Sequence, residues 1–317
     1  MRHFLLLLCL LCLLCLLSLP CLAATDTREL HAGDSTLRVQ VLGVDDPTRI
    51  AVLQRWISES AEATKTRSGR FPLRSAYVRV QQIDSRDSSP VPWGQTQRRE
   101  EVGLPEVGVL LYVRRDADYD ALRSDWTAMH ELSHLYHPYL GDSGRWLAEG
   151  LASYYQNVFR ARAGMIDADE AWKSLDAGFR RGEAATSAMR MDAIGRGRGG
   201  TMRVYWAGAA YWLEADLALR RARGTSLDAV LDEYARCCLD GNATLAPDDF
   251  IAALDRLTGG EVLTTLYRRH AALREFPALD SAYRQLGIER SGNGLRFAGT
   301  RDAVRLRKAT MGATAEP

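Results

Sequence analysis

Residues 127–156 read TAMHELSHLYHPYLGDSGRWLAEGLASYYQ, and this stretch decides the fold. His130, Glu131 and His134 form the pattern H-E-x-x-H. On a helix, positions 130 and 134 lie about 40° apart and about one turn along the axis, so both imidazoles can point at one ion. Glu131 falls at the edge of that face, where it can reach a water on the ion without becoming a ligand. The spacing therefore predicts a metal site with an adjacent base.

A second carboxylate follows on the next predicted helix. The turn-rich stretch HPYLGDSG separates HELSH from WLAEGLASYY, residues 146–155. Glu149 comes 15 residues after His134, which is enough chain to reverse direction and return a carboxylate to the first helix. Two histidines, one carboxylate and an open fourth position form the ligand set of a catalytic zinc site. We expect one Zn²⁺ held by His130, His134 and Glu149.

Three blocks in this order resemble the gluzincin metallopeptidases. HELSH followed by W-x-x-E-G-x-x-x-Y-Y is similar to the two-helix motif of the glycyl aminopeptidase family and, more distantly, of the aminopeptidase N family. VYWAGAAYWLEADLALR, residues 204–220, resembles the helix that supplies a catalytic tyrosine in both families, with Tyr205 and Gly208 at the matching positions. FPALDSAYRQLGI, residues 276–288, resembles the end of the glycyl aminopeptidase catalytic domain.

The resemblance implies an activity and a division of roles. It implies a zinc-dependent peptidase with Glu149 as the third ligand, Glu131 as the general base and Tyr205 as a donor to the developing oxyanion. One departure concerns the substrate. The aminopeptidase N family binds the substrate amine through a G-x-M-E-N strand, whereas VGVLLYVRR, residues 107–115, contains no such acidic residue. The resemblance therefore does not imply that this protein recognises the free N-terminus of a substrate.

The chain as a whole reads as an α+β fold, and the resemblance implies a thermolysin-like catalytic domain. Residues 25–115 form an N-terminal αβ portion, with a small sheet and one early helix, and residues 116–290 a mostly helical portion that contains the site. The predicted strands are 35–44, 74–83 and 107–115, with a helix at 47–65 and a loop or loose hairpin at 84–108. The later predicted helices are 118–136, 144–163, 167–180, 204–223, 226–238, 247–257, 261–269 and 279–286.

Some residues are expected to play no part in the site. The polar segment 291–317 predicts a flexible tail. Cys237 and Cys238 predict two thiols on a helix, since neighbouring cysteines rarely bridge each other. His137 is expected in a loop, outside the ligand set, and His270 on the surface of a helix.

The first 24 residues, MRHFLLLLCLLCLLCLLSLPCLAA, predict a secretory signal peptide. Arg2 supplies the positive start, and an apolar run precedes a small-residue exit at Ala23 or Ala24. A retained membrane anchor and lipidation at Cys21 are the alternatives, but the apolar run is shorter than the roughly 20 residues of a spanning helix. We expect a secreted or periplasmic protein without a membrane span after signal removal.

Overall charge excludes some partners. The chain has 41 Lys and Arg against 40 Asp and Glu, a net charge of +1, so no global field favours nucleic acid or an anionic membrane surface. The expected partner is a peptide or protein substrate. The sequence does not indicate an oligomeric state.

Two other functions compete with the peptidase. One is a catalytically silent, gluzincin-like binding or scaffold protein of the cell envelope. The other is a helical interaction module with a chance motif. The complete set of His130, Glu131, His134, Glu149 and Tyr205 argues against the first, because a silent protein has no need of a general base, and three matching blocks in order argue against the second.

Overall fold

A five-stranded sheet forms the N-terminal part of the molecule. The computed structural model describes residues 26–98, 106–185, 188–194 and 200–312. The strand order is β1-β2-β3-β5-β4, with β2, β3 and β5 parallel and an antiparallel strand at each edge. The strands are β1 (Asp26–Ala32), β2 (Ser35–Leu42), β3 (Ser75–Ile83), β4 (Trp93–Gln97) and β5 (Gly108–Arg114).

The alternation of apolar residues in β2 explains how the sheet forms its core. Leu37, Val39 and Val41 are fully buried, and the residues between them are partly exposed, as the period of two requires. Helix α1 (Pro47–Ala63) packs into the same cluster and starts with proline at its first position and an Asp46 cap. The three predicted strands and the early helix are confirmed. Strand β1 was not predicted, and β4 lies in the predicted hairpin.

The remainder of the chain is mostly helical, as predicted. The long helix predicted over 118–136 is interrupted, because Asp125 has an extended backbone and its carboxylate accepts the Thr127 amide at 2.7 Å. The helices after β5 are α2 (Tyr119–Ser124), α3 (Thr127–Ser133), α4 (Arg145–Arg162), α5 (Ala168–Ala184), α6 (Thr201–Arg223), α7 (Leu227–Cys237), α8 (Pro247–Thr258), α9 (Val262–Ala271), α10 (Asp280–Leu286) and α11 (Arg301–Met311), with 3-10 turns at His134–Tyr136 and Met191–Ala193.

Two glycines let α4 and α6 cross closely. A Cβ on Gly208 would lie 1.9 Å from the Trp146 carbonyl oxygen, and one on Gly150 would lie 2.3 Å from the Gly208 carbonyl carbon. No side chain fits at either position. The crossing brings the first turns of α6 beside the first turns of α4.

The expectation of a flexible tail at 291–317 is wrong for the residues that the structure describes there. Strands β6 (Ile288–Ser291) and β7 (Gly294–Phe297) form an antiparallel hairpin, and α11 follows. Thr310 and Met311 are fully buried, and Arg162 donates two hydrogen bonds to the Thr310 carbonyl. Because most residues of this segment are polar, its composition did not indicate that a few of them are buried. Residues 313–317 lie outside the described residues.

The expectation of two free thiols is also wrong. A disulfide joins Cys237 and Cys238, whose Cα atoms are 3.7 Å apart. Cys238 lies at the end of α7 with a non-helical backbone, so the two side chains are not held in the divergent directions of consecutive helical residues.

The predicted signal peptide lies outside the described residues. In the part of the chain that is described, no helix combines the length and the apolar character needed to cross a membrane.

Candidate metal centre

The three predicted ligands converge between α3 and α4. His130 ends the first turn of α3, His134 follows its last residue, and Glu149 lies on α4. Glu149 Oε2 is 3.3 Å from His130 Nε2 and 3.6 Å from His134 Nε2, and one ligand atom from each residue falls within 4.8 Å of the others. Ligand distances near 2.0–2.1 Å around a tetrahedral zinc ion place neighbouring ligand atoms about 3.3 Å apart. The spacing and the donor types therefore fit zinc.

Gln156 orients the first histidine. Its side-chain oxygen lies 2.9 Å from His130 Nδ1, and both groups are buried. Because an amide oxygen can only accept, Nδ1 carries a proton, and Nε2 is the nitrogen that faces Glu149 and is left for a metal. Gln156 stands two turns after Glu149 on α4, so one helix supplies both a ligand and the residue that orients another ligand.

His137 orients the second histidine. His137 Nδ1 lies 2.6 Å from the Pro138 carbonyl oxygen and donates to it, so His137 Nε2 is the acceptor for His134 Nδ1 at 3.0 Å. Burial, with Arg98 and His134 nearby, holds the pKa of His137 well below its ordinary value, so the ring is neutral as this chain of bonds requires. His137 is not one of the three grouped ligands, as expected. It is nevertheless buried, in contact with His134.

The charge of Glu149 is stabilised by the histidines. Burial alone would raise the pKa of Glu149, but hydrogen bonds and attraction from His130 and His134 outweigh burial and hold that pKa well below its ordinary value. Burial likewise would lower the pKa of His130, and Glu149 and Glu131 together raise it. The carboxylate is therefore ionised and available as a ligand.

Edge strand β4 contacts Glu131 through Thr96 and Gly94. The Thr96 hydroxyl lies 3.0 Å from Glu131 Oε2 and 3.1 Å from the Glu131 carbonyl oxygen, and its one proton is shared between these two acceptors. Gly94 permits this approach, since a Cβ there would lie 2.6 Å from Glu131 Cγ and 2.8 Å from Thr127 Cγ2. One oxygen of Glu131 is thus bonded, and the residue lines the cleft in front of the ligands.

Tyr205 reaches the same cleft from α6. Its ring stacks on that of His130, with centroids 5.7 Å apart and planes 10° apart. Burial raises the pKa of Tyr205 above its ordinary value, and the Glu149 charge adds to this effect, so the hydroxyl stays protonated and can donate. The crossing of α4 and α6 at their glycines places this tyrosine beside the ligands.

A cleft of about 710 Å³ opens in front of the ligands. Strand β4 with Arg98, the start of α4 and Tyr205 line this cleft. The loop with Asn242 and Thr244 also lines it, held by the pairing of Thr244 with Tyr139. A volume of this size accommodates several residues of a peptide.

Sequence reasoning missed Thr96, Gln156 and the role of His137. The helical spacing of seven between Glu149 and Gln156 places both on one face and could have indicated the glutamine. Nothing local to Thr96 indicates that β4 pairs with β5 and then contacts α3, because strand pairing is a long-range property.

A family comparison matches the central part of the chain. The model of the M61 glycyl aminopeptidase family matches residues 133–194, which include His134 and Glu149 but end before Tyr205. No curated protein matches the chain.

Solved structures match more of the chain. An aminopeptidase N family protein from Idiomarina loihiensis superposes with a TM-score of 0.59 at 15% identity, over 85% of this chain and 53% of that one. The fold of this chain is therefore similar to that of this aminopeptidase N family protein. The M1 zinc metallopeptidase from Deinococcus radiodurans has a TM-score of 0.48 at 16% identity, over 80% of this chain and 53% of that one.

An aminopeptidase N-type fold, the M61 match and the three converging ligands support a zinc-dependent peptidase. The α+β architecture inferred from the sequence is confirmed. The chain spans about half the length of the solved structures that it matches.

Proposed function

We propose that this protein hydrolyses peptide bonds with one zinc ion held by His130, His134 and Glu149. The observation that carries the proposal is the convergence of these three side chains next to Glu131 in an open cleft. A structural zinc site would be closed by a fourth protein ligand. In the described residues, the cluster contains three.

The chemistry is divided between the ion and the chain. A zinc ion at this site would polarise the substrate carbonyl and lower the pKa of a water to about 7. Glu131 takes a proton from the attacking water and later returns it to the leaving amine. Thr96 keeps Glu131 Oε2 in place, so the other oxygen carries the proton transfer.

Tyr205 is proposed to donate to the carbonyl oxygen as negative charge develops there. Its protonated hydroxyl and its position against the His130 ring support this role. A donor that meets the oxygen only after charge develops lowers the barrier more than it strengthens substrate binding.

We also propose that the chain is exported to the periplasm or secreted, on the basis of residues 1–24. Edman sequencing of the protein purified from its native source would test this proposal. A mature N-terminus at residue 24 or 25 is expected, and an intact Met1 would contradict export by cleavage.

Two measurements test the proposed function. Metal analysis of the purified protein should find near-stoichiometric zinc, and its absence would exclude the site. Native protein and Glu131→Gln should then be compared on a peptide library, both loaded with zinc. Cleavage by the native protein alone is expected, since the glutamine cannot accept the proton. Equal inactivity of the two proteins would favour a silent binding protein and contradict the peptidase.

A further inference from the structure

With a zinc ion bound, the cleft would carry a net positive charge. Among the described residues of the lining, the carboxylates are Glu131 and Glu149. Under the proposed function both are committed, one to the metal and one to proton transfer, and their two negative charges match the two positive charges of a zinc ion. Arg98 and Arg145 line the same cleft as additional cations.

Arg98 has a structural role. Its Nη1 donates to the Gly241 carbonyl oxygen at 3.1 Å, and its Nη2 donates to the carbonyl of His134. Burial lowers the pKa of Arg98 to about 10, so it remains a cation near neutral pH. Arg98 therefore connects the end of β4 to the turn that starts at His134 and to the loop that contains Gly241. Its positive charge also adds to the charge of the cleft.

Arg145 is differently placed. It starts α4 one turn before Glu149, and its Nε lies 3.9 Å from Glu149 Oε1, the oxygen other than the one nearest the two histidines. Its guanidinium also lies 5.8 Å from the centre of the Tyr205 ring. A strong arginine–carboxylate pair has bonds of about 2.7–2.9 Å, often two in parallel, so the contact with Glu149 is long. The Tyr205 hydroxyl is a second partner of Arg145, but a guanidinium has five N–H donors, so donor capacity remains towards the cleft.

We propose that Arg145 binds a carboxylate of the substrate beside the scissile bond, so that the enzyme selects acidic peptides. The proposal rests on the proposed function and adds the substrate class. A free N-terminal ammonium in the same place would meet Arg145 and Arg98, and the described lining offers it no uncommitted carboxylate. Like charges brought together in the cleft disfavour such a substrate.

The position of Arg145 limits where the carboxylate can lie. The guanidinium is next to the carboxylate of a metal ligand, and an extended peptide advances about 3.3 Å per residue. Arg145 can therefore reach only the residues that directly flank the scissile bond. The carboxylate belongs either to an Asp or Glu side chain there or to the C-terminus of a peptide cleaved at its last residues.

Matched peptides test the proposal. In one pair, a flanking Glu is replaced by Gln with both peptide ends blocked, and in the other a free C-terminus next to the cleavage site is replaced by its amide. The zinc-loaded native protein should prefer the acidic member of at least one pair by about 10- to 100-fold in kcat/KM. The pair that shows the preference identifies the source of the carboxylate.

Arg145→Met should reduce that preference towards a ratio of one. Arg145→Lys should retain part of it, because it keeps the charge but loses the planar fork. Arg305→Met is the matched control, since that arginine is 76% exposed on α11, and it should leave the ratio unchanged. An equal loss of activity on acidic and amide peptides in Arg145→Met would show that Arg145 only positions Glu149 or Tyr205, and would overturn the proposal.

Binding separates this proposal from the proposed function. Calorimetry with zinc-loaded Glu131→Gln measures the dissociation constants of the same peptides without turnover. An acidic peptide should bind about tenfold or more tightly than its amide, and additional Arg145→Met should remove the difference. Equal affinities, or tighter binding of peptides with a free N-terminal amine, would overturn the carboxylate site even if the native protein cleaves peptides. Selective binding without any cleavage would instead contradict only the peptidase.

Discussion

Among the described residues, two glutamates, Glu149 and Glu214, each contact a buried histidine, and their surroundings differ. At the candidate metal centre, His130 Nε2 lies 3.3 Å from Glu149 Oε2. Between α6 and α9, His270 Nε2 lies 2.8 Å from Glu214 Oε2. Both imidazoles are almost fully buried, with 4% and 3% of their side chains exposed. The same two residue types thus occur in the same contact, and only their other partners differ.

Those partners decide whether a pair can hold a metal. Glu214 also accepts a guanidinium hydrogen bond from Arg269, so cationic donors surround this carboxylate. Glu149 instead faces two imidazoles whose Nδ1 atoms donate elsewhere, so both Nε2 atoms are directed at one point. The comparison shows that the residues behind the histidines, and not the histidine–glutamate contact, distinguish a ligand set from a closed ion pair.

The largest expected contrast is in zinc binding. Glu149→Ala should abolish near-stoichiometric zinc, because it removes one of three ligands. Glu214→Ala removes the equivalent carboxylate from the other pair and should leave the zinc content unchanged. Metal analysis after dialysis against buffer with trace zinc measures both. Zinc loss in both variants would mean that unfolding, and not ligation, controls the result, and circular dichroism identifies that case.

A smaller loss is expected from the residue behind the first histidine. Gln156→Leu keeps the side-chain size but removes the acceptor for His130 Nδ1, so the zinc dissociation constant should rise by about 10- to 100-fold. Competition with a chromophoric chelator measures it. Gln285→Leu, a change at a partly exposed glutamine on α10, provides the control. An unchanged constant in Gln156→Leu would show that packing alone orients the imidazole.

The second pair should affect stability instead. Burial would raise the pKa of Glu214, but hydrogen bonds to His270 and Arg269 outweigh it and lower the pKa from 4.5 to about 2. A carboxylate whose pKa is lower in the folded protein than in the unfolded chain stabilises the fold at pH values above the unfolded pKa. This contribution is lost as the pH falls towards 2. Because the Glu214 side chain is 30% exposed, Glu214→Gln should cost about 1–2 kcal/mol at neutral pH.

Urea unfolding at several pH values measures this difference. The difference in free energy of unfolding between the native protein and Glu214→Gln should be largest near pH 6. It should decrease below about pH 4.5, where the carboxylate of the unfolded chain is protonated. A gap that does not change with pH would mean that Glu214 acts through packing and not through its charge.

The sequence predicted which side chains form the candidate metal site, but not the neighbouring residues that hold them in place. Helical spacing sufficed to place His130 and His134 on one face, because that face follows from a local period. Glu149 was predicted instead from the length of the intervening turn and from the family resemblance. His270 was expected on a surface, and that prediction is wrong, because its burial depends on α9 packing on α6 and not on its own helix. Thr96 could not be predicted for the same reason, since its partner is brought to it by the sheet.

The smallest expected effect concerns Glu131, the carboxylate that belongs to neither pair. If Glu131 acts on the substrate and not on the metal, Thr96→Val should lower kcat by about fivefold, since one hydrogen bond to the base contributes about 1 kcal/mol. The same change should leave zinc affinity and stability almost unaltered, unlike the changes at Glu149 and Glu214. Thr96→Ser restores the hydroxyl and should recover most of kcat. A loss of zinc in Thr96→Val, or a serine variant as slow as the valine one, would mean that β4 supports the metal centre through packing and not through this hydroxyl.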